Sequence, residues 1–273
     1  MNSELDEKLK APITLISYGR SGTSLLQNVF DTHPNVSVAG ETADLIFGIW
    51  HYINESQHII PALIENGRAV SWQKRVARGV RAVFGEMFNF PTDYWMQKPI
   101  SQPFILRTKN MSLDEWFELY WQVLLDIFPQ GKYITVLRHP FDVVLSSEEY
   151  WGSDQKAVWQ GITNFAQCIL HRSSKIDYAV NYHELLDNPE EVLKKLFNHL
   201  QIVYDPVVLK AFDYIYVPNQ KGWKQEKNLF PDKITKKFSR QDEWGKIDIS
   251  SVEKEISIIR ELWKKFGYSL ELS

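Results

Sequence analysis

ITLISYGRSGTSLL, residues 13–26, decides how the rest of the chain is read. The apolar run at 13–18 stops at Gly19, and Leu25, Leu26, Val29 and Phe30 then recur at helical spacing. That pattern predicts a strand, a tight turn and a helix. Successive backbone N–H groups in such a turn, together with the helix N-terminus, make a cradle for an anion. Gly19 and Gly22 let the backbone turn and approach closely. Ser21 lies between them, Thr23 and Ser24 add hydroxyl donors, and Arg20 adds a full charge on a forked donor set.

The turn is not the nucleotide-triphosphate loop G-x-x-x-x-G-K-[ST]. Its first glycine place holds Ser17, and its lysine place holds Thr23. No strand ends in the aspartate that would hold Mg²⁺ beside such a loop. The cleanest strand, KYITVL at 132–137, ends instead in Arg138-His139-Pro140 and runs into a helix. Ser146 follows roughly two helical turns later on the same face. Arg138 and Ser146 predict a second phosphate site, so the chain is read as gripping a nucleotide with two separate phosphate groups and no metal.

Outward from these segments, Val36–Val38 reads as a strand and GETADLIFGIWHYI after it as a helix. Residues 55–100 read as irregular helix, and Phe104–Thr108 as a strand. Ser112 to Glu115 is a capping box, after which Trp116, Leu119, Tyr120, Val123, Leu124 and Ile127 keep one helix face apolar. A helix over 154–176 leads to a strand at 178–182, and Asn188-Pro189 opens another helix. The last helix is expected to be capped by Ser250 with Glu253 and stopped by Gly267. Strands alternating with helices predict an α/β fold, a central parallel sheet covered by helices. The expected organisation is one domain over residues 1–273, with a helical acceptor-binding insertion at about 55–102.

Composition bounds the function. The 31 basic against 34 acidic residues leave a net charge of −3, which gives no footprint for non-specific nucleic-acid binding. Any anion site must then be local. One cysteine, Cys168, excludes an internal disulfide and a zinc site built on two or four cysteines. The histidines show no metal-ligand spacing, so no metal is expected. No apolar run reaches the length of about 18 residues that a membrane span requires. The polar start MNSELDEKLKAP lacks a signal-peptide core, and a cytoplasmic protein is expected. Aromatic residues make up 14% of the chain, a share that points to a pocket for a flat or sugar-like acceptor.

GRSGTSLL, the following HPNVSVAGE and the later KYITVLRHPFDVVLS together resemble the sulfotransferase family that uses 3′-phosphoadenosine-5′-phosphosulfate (PAPS). NYHELLDNPEEVLKKLFNHL and IIRELWKKFGY are similar to its late strand–helix segment and last helix. The resemblance implies a P-loop-like sulfotransferase fold and no metal. By it, Arg20, Ser21, Gly22, Thr23 and Ser24 wrap the 5′-phosphosulfate, Arg138 and Ser146 hold the 3′-phosphate, and Tyr182 contacts the adenine. The chain departs from the family at His139, where aspartate is usual, and at His183 within Tyr182-His183-Glu184-Leu185.

The reaction implied is in-line transfer of a sulfuryl group to a hydroxyl of a small-molecule or saccharide acceptor. Its loose transition state needs positioning and charge stabilisation. Arg20 and Lys109 are the expected cations, with Arg107 the alternative to Lys109. Glu41, shortly after the His33-Pro34 pair, matches the base of the family's non-phenol branch, while His33 reads as a turn residue. The rival readings are an ATP-using P-loop kinase and a non-catalytic nucleotide-binding protein.

Weaker features stay open. Arg68, Lys74, Arg75, Arg78 and Arg81 face away from Trp72, Val76, Val80, Val83 and Met87, either as a solvated face or as a membrane or partner surface. Phe84, Phe88, Phe90, Tyr94 and Trp95 are candidates for stacking on an acceptor, or core. Lys221–Lys224 resembles a loop closing over the 3′-phosphate, and Arg240 with Trp244 resembles the family's late Arg-Trp turn.

Overall fold

A computed structural model describes residues 3–56, 69–88, 90–99, 106–107, 110–213 and 240–272. In chain order its elements are α1 (Ser3–Leu9), β1 (Ile13–Leu15), α2 (Thr23–Thr32), β2 (Val36–Gly40), α3 (Ala43–Glu55), α4 (Ala69–Met87), β3 (Tyr94–Gln97) and α5 (Leu113–Ile127). There follow β4 (Lys132–Leu137), α6 (Pro140–Trp151), α7 (Gln155–His171), β5 (Ile176–Asn181), α8 (Tyr182–Asp187), α9 (Pro189–Leu200) and α10 (Glu253–Lys265). The strands form one sheet in the order β2-β3-β1-β4-β5, and the fold is α/β as expected. The chain divides into two compact units, Met1–Ile16 with Asn35–Tyr133, and Ser17–Pro34 with Ile134–Ser273.

In the first unit β3 pairs in parallel with both β1 and β2, in register Ile13 to Met96 and Val36 to Tyr94. This strand corrects the expectation of irregular helix at 55–100. Trp95, Met96 and Gln97 are buried whichever way they point, so the segment lacks the alternation that marks a half-exposed strand. The β2–β3 register shifts between Val38 and Gly40, and Gly40 takes a φ of 76° that favours glycine. The Lys98 amide then donates to the Gly40 carbonyl at 2.8 Å. The shift leaves Glu41 and Lys98 side by side at the carboxyl ends of neighbouring parallel strands, where α/β sheets place ligands.

The aromatic stretch proposed as an acceptor wall is largely interior. Phe84, Phe90 and Trp95 are buried, with Phe90 and Trp95 centroids 4.7 Å apart and Phe128 5.7 Å from Trp95. The Trp95 indole donates to the Lys8 carbonyl at 3.0 Å, which removes the cost of burying its N–H. On α4, Lys74, Arg75 and Arg78 are exposed and Val76 and Val80 buried, the predicted amphipathic pattern. Arg81 leaves that face: its guanidinium is buried between Asp6 (3.0 Å) and the Ile127 carbonyl (2.6 Å). Arg68, Phe104, Ile105, Thr108 and Lys221–Lys224 lie outside the described residues.

Helix ends follow local chemistry. The Ser112–Glu115 capping box at α5 is complete in both directions. At α10 the expectation fails by two residues: Val252 is the N-cap, because the Ser250 amide and hydroxyl both bond to Asp248. In the second unit His33 stacks on Phe197 at 5.0 Å and Nε2 meets the Val203 carbonyl at 2.9 Å, a structural turn residue as expected. Among the described residues no helix is long and apolar enough to cross a membrane.

Candidate active site

The second unit carries the anion loop. Ser17 donates to the Val136 carbonyl at 2.9 Å and seats the loop beside β4. Arg20 (φ 64°) and Gly22 (φ 97°) are both left-handed, on either side of Ser21. Such an alternation turns successive N–H groups into one concavity. Gly22 also serves as N-cap of α2 and supplies no side-chain cap, and a helix N-terminus favours an anion. A Cβ on Gly22 would stand 2.3 Å from the Tyr182 ring, and one on Gly19 would stand 2.5 Å from the Trp151 ring. The buried Tyr182 ring leaves no room for a side chain at Gly22, and the Trp151 ring covers Gly19.

Arg20, Arg138, Ser146 and Tyr182 meet here. Arg138 Nη1 donates to the Arg20 carbonyl at 2.8 Å, and Arg20 Nε donates to Ser146 Oγ at 3.1 Å. The Arg138 guanidinium lies 4.7 Å over the Tyr182 ring, and the Arg20 guanidinium 4.1 Å over that of Tyr150. Burial lowers the Arg20 pKa; Tyr150 opposes this and the like charge of Arg138 adds to it. The group stays charged regardless. An anion held between the two cations would relieve both burdens.

Tyr182 is set by the end of β5. The sequence reading ended a strand on it, but Asn181 caps α8 by accepting from the His183 and Glu184 amides, so Tyr182 opens that helix instead. Burial raises the Tyr182 hydroxyl above the usual tyrosine range, against the opposing pull of Arg138. Ser21 and Thr23 are buried in the loop and first helical turn, and Ser24 follows on α2.

In the first unit the Glu41 carboxylate sits 3.2 Å from Lys98 Nζ. The lysine side chain is only 2% exposed and the glutamate 56%. A lysine is rarely buried unless paired, and Glu41 supplies the partner here. Sequence reasoning missed Lys98, because the short stretch YWMQK before Pro99 fits the end of a strand or of a helix equally. Gln97 bridges Thr42 (3.0 Å) and Thr14 (3.1 Å) behind the pair. Lys109 lies outside the described residues. Arg107, the alternative, places its guanidinium 5.2 Å over the Trp116 ring. Among the described residues no group of three His, Cys, Asp or Glu side chains is placed to hold a metal ion.

A family model described as the sulfotransferase family matches residues 12–206, more than half of the chain. The chain belongs to that family. A candidate protein-tyrosine sulfotransferase of Caenorhabditis briggsae is 21% identical over 208 residues, covering 72% of this chain and 67% of the relative. Among solved structures, the sulfotransferase domain from the curacin biosynthetic pathway superposes with a TM-score of 0.60 at 18% identity, over 96% of this chain and 99% of that domain. Mouse sulfotransferase SULT7A1, solved with PAP, gives 0.50 at 14% identity, over 97% and 89%. At these identities the structures speak for the fold, and the sulfotransferase match for the family.

Proposed function

We propose that the chain moves a sulfuryl group from PAPS to a hydroxyl of a small-molecule or saccharide acceptor. The observation that carries this reading is the meeting of Arg20, Arg138 and Ser146 around a left-handed loop whose helix N-cap is Gly22. Two cations and a helix N-terminus suit a ligand with two phosphate-level anions. The PAP bound to mouse SULT7A1, the donor without its sulfuryl group, supports the same ligand class.

In this reading Arg20, Ser21, Gly22, Thr23 and Ser24 hold the 5′ end, Arg138 and Ser146 the 3′-phosphate, and Tyr182 the adenine. The acceptor oxygen bonds to sulfur as the bond from sulfur to the phosphate oxygen breaks. Arg20 stabilises the negative charge that the departing phosphate gains. Glu41 takes the acceptor proton, its exposed carboxylate being open to an incoming hydroxyl. Two lysines are candidates for the further cation: Lys109 by resemblance, and Lys98 by its pairing with Glu41. Single alanine substitutions separate them, since only the working lysine lowers kcat steeply. The relative's name adds a tyrosyl phenol to the acceptors worth testing.

Titration calorimetry with 3′,5′-adenosine bisphosphate beside ATP–Mg²⁺ tests the ligand class. Binding of the bisphosphate that Arg138→Ala weakens supports the reading. Tight ATP–Mg²⁺ binding without bisphosphate binding would favour a kinase and overturn it.

A further inference from the structure

Asp142 is fully buried on the first turn of α6, four residues beyond Arg138. Its Oδ1 accepts from the Trp244 indole at 2.8 Å and from the Arg240 amide at 3.0 Å, while Oδ2 lies 3.3 Å from His183 Nε2. A buried carboxylate is costly without donors, and this one receives two from the distant Arg240–Trp244 segment and lies beside His183. The Trp244 ring also stacks on His139, 3.8 Å between centroids and 11° from parallel. His139 Nδ1 accepts from the Phe141 amide and Nε2 meets the Glu271 carbonyl at 2.8 Å. The two positions where the chain departs from the family pattern, His139 and His183, therefore both pack around this carboxylate and its tryptophan.

The same helix continues the connection. Asp142, Ser146, Glu149 and Tyr150 fall on one stripe of α6, at spacings of three and four residues. Ser146 and Tyr150 touch Arg20, and Glu149 pairs with the Arg240 guanidinium at 2.8 Å. Arg240 is held a second time by Glu243, at 2.8 Å. His183 is the neighbour of Tyr182, on whose ring Arg138 lies.

We infer that Asp142 is a positioning residue for the donor site: it ties the Arg240–Trp244 turn and His183 to α6 and so fixes the wall that presents Arg138, Ser146 and Tyr182. It touches no reacting atom. The inference rests on the assignment of Arg138 and Ser146 to the 3′-phosphate, and it predicts that the tether governs selectivity for a 3′-phosphorylated ligand.

The test uses Asp142→Asn, which keeps the shape, and Trp244→Phe, which keeps the stacked ring but deletes the indole N–H. Calorimetry compares 3′,5′-adenosine bisphosphate with adenosine 5′-monophosphate, alongside melting temperature and hydrogen exchange at the Arg240 amide. The tether predicts faster Arg240 exchange and a bisphosphate-to-monophosphate affinity ratio reduced about 10-fold, as expected for loss of a charge-assisted hydrogen bond. General destabilisation lowers the melting temperature and leaves that ratio in place. An unchanged ratio in folded Trp244→Phe protein overturns the inference, even where Asp142→Asn fails to fold. Absence of bisphosphate binding by the unaltered chain would instead overturn the proposed function, and unchanged Arg240 exchange would overturn the tether independently of any ligand.

Discussion

Gly22 carries two separate demands, a φ of 97° and a ring 2.3 Å from where a Cβ would stand. Gly22→Ala is therefore expected to destabilise the fold by about 1–3 kcal/mol and to abolish bisphosphate binding. Urea unfolding and calorimetry check the two effects. Glu41 makes a different prediction, because its carboxylate is paired and exposed rather than built into the loop. Glu41→Gln should lower kcat by roughly 100-fold or more while bisphosphate affinity stays within about twofold. Unchanged turnover would remove it as the base. Residues at this scale were unevenly legible. Gly19, Arg20 and Gly22 stand next to one another in a loop whose chemistry is local. The pairing of Lys98 with Glu41 depends on strand order, and Asp142 with Trp244 on a return of the chain about a hundred residues later, which no local pattern records.

Among the elements, those with strong periodicity or chemical caps were readable, and those buried on both faces were not. The α5 helix shows its start through Ser112 and Glu115 and its core face through Trp116, Tyr120 and Leu124. Ser112→Ala should cost about 1 kcal/mol of stability in chemical denaturation. The four residues of β3 gave no comparable signal, since a short continuous apolar run fits a strand or a helix equally. The start of α6 also sets a pH dependence. Burial lowers the His139 pKa from its ordinary 6.5, with the nearby His183 adding to the effect and the Glu271 carbonyl and Asp142 opposing it. The unfolded chain then binds more protons than the folded one as pH falls below 6.5. Stability should therefore drop from about pH 7.5 to about pH 5.5, and His139→Phe should flatten the drop in urea titrations at the two pH values.

Across the whole molecule, the α/β class followed from alternating strands and helices, and the family from motifs spread along most of the chain. Family membership brings a reaction type, and the particular residues decide whether this chain can run it. The acceptor was not legible, because the aromatic residues that suggested a binding wall largely fill the interior around Trp95. Sulfuryl transfer is read out by incubating the protein with PAPS labelled with radioactive sulfur and a panel of phenols, saccharides and a tyrosyl peptide. Label is expected on at least one acceptor, formed without added metal and lost in Arg20→Ala protein. Tight binding of the bisphosphate with no label reaching any acceptor, while ATP–Mg²⁺ phosphorylates one of them, would contradict it.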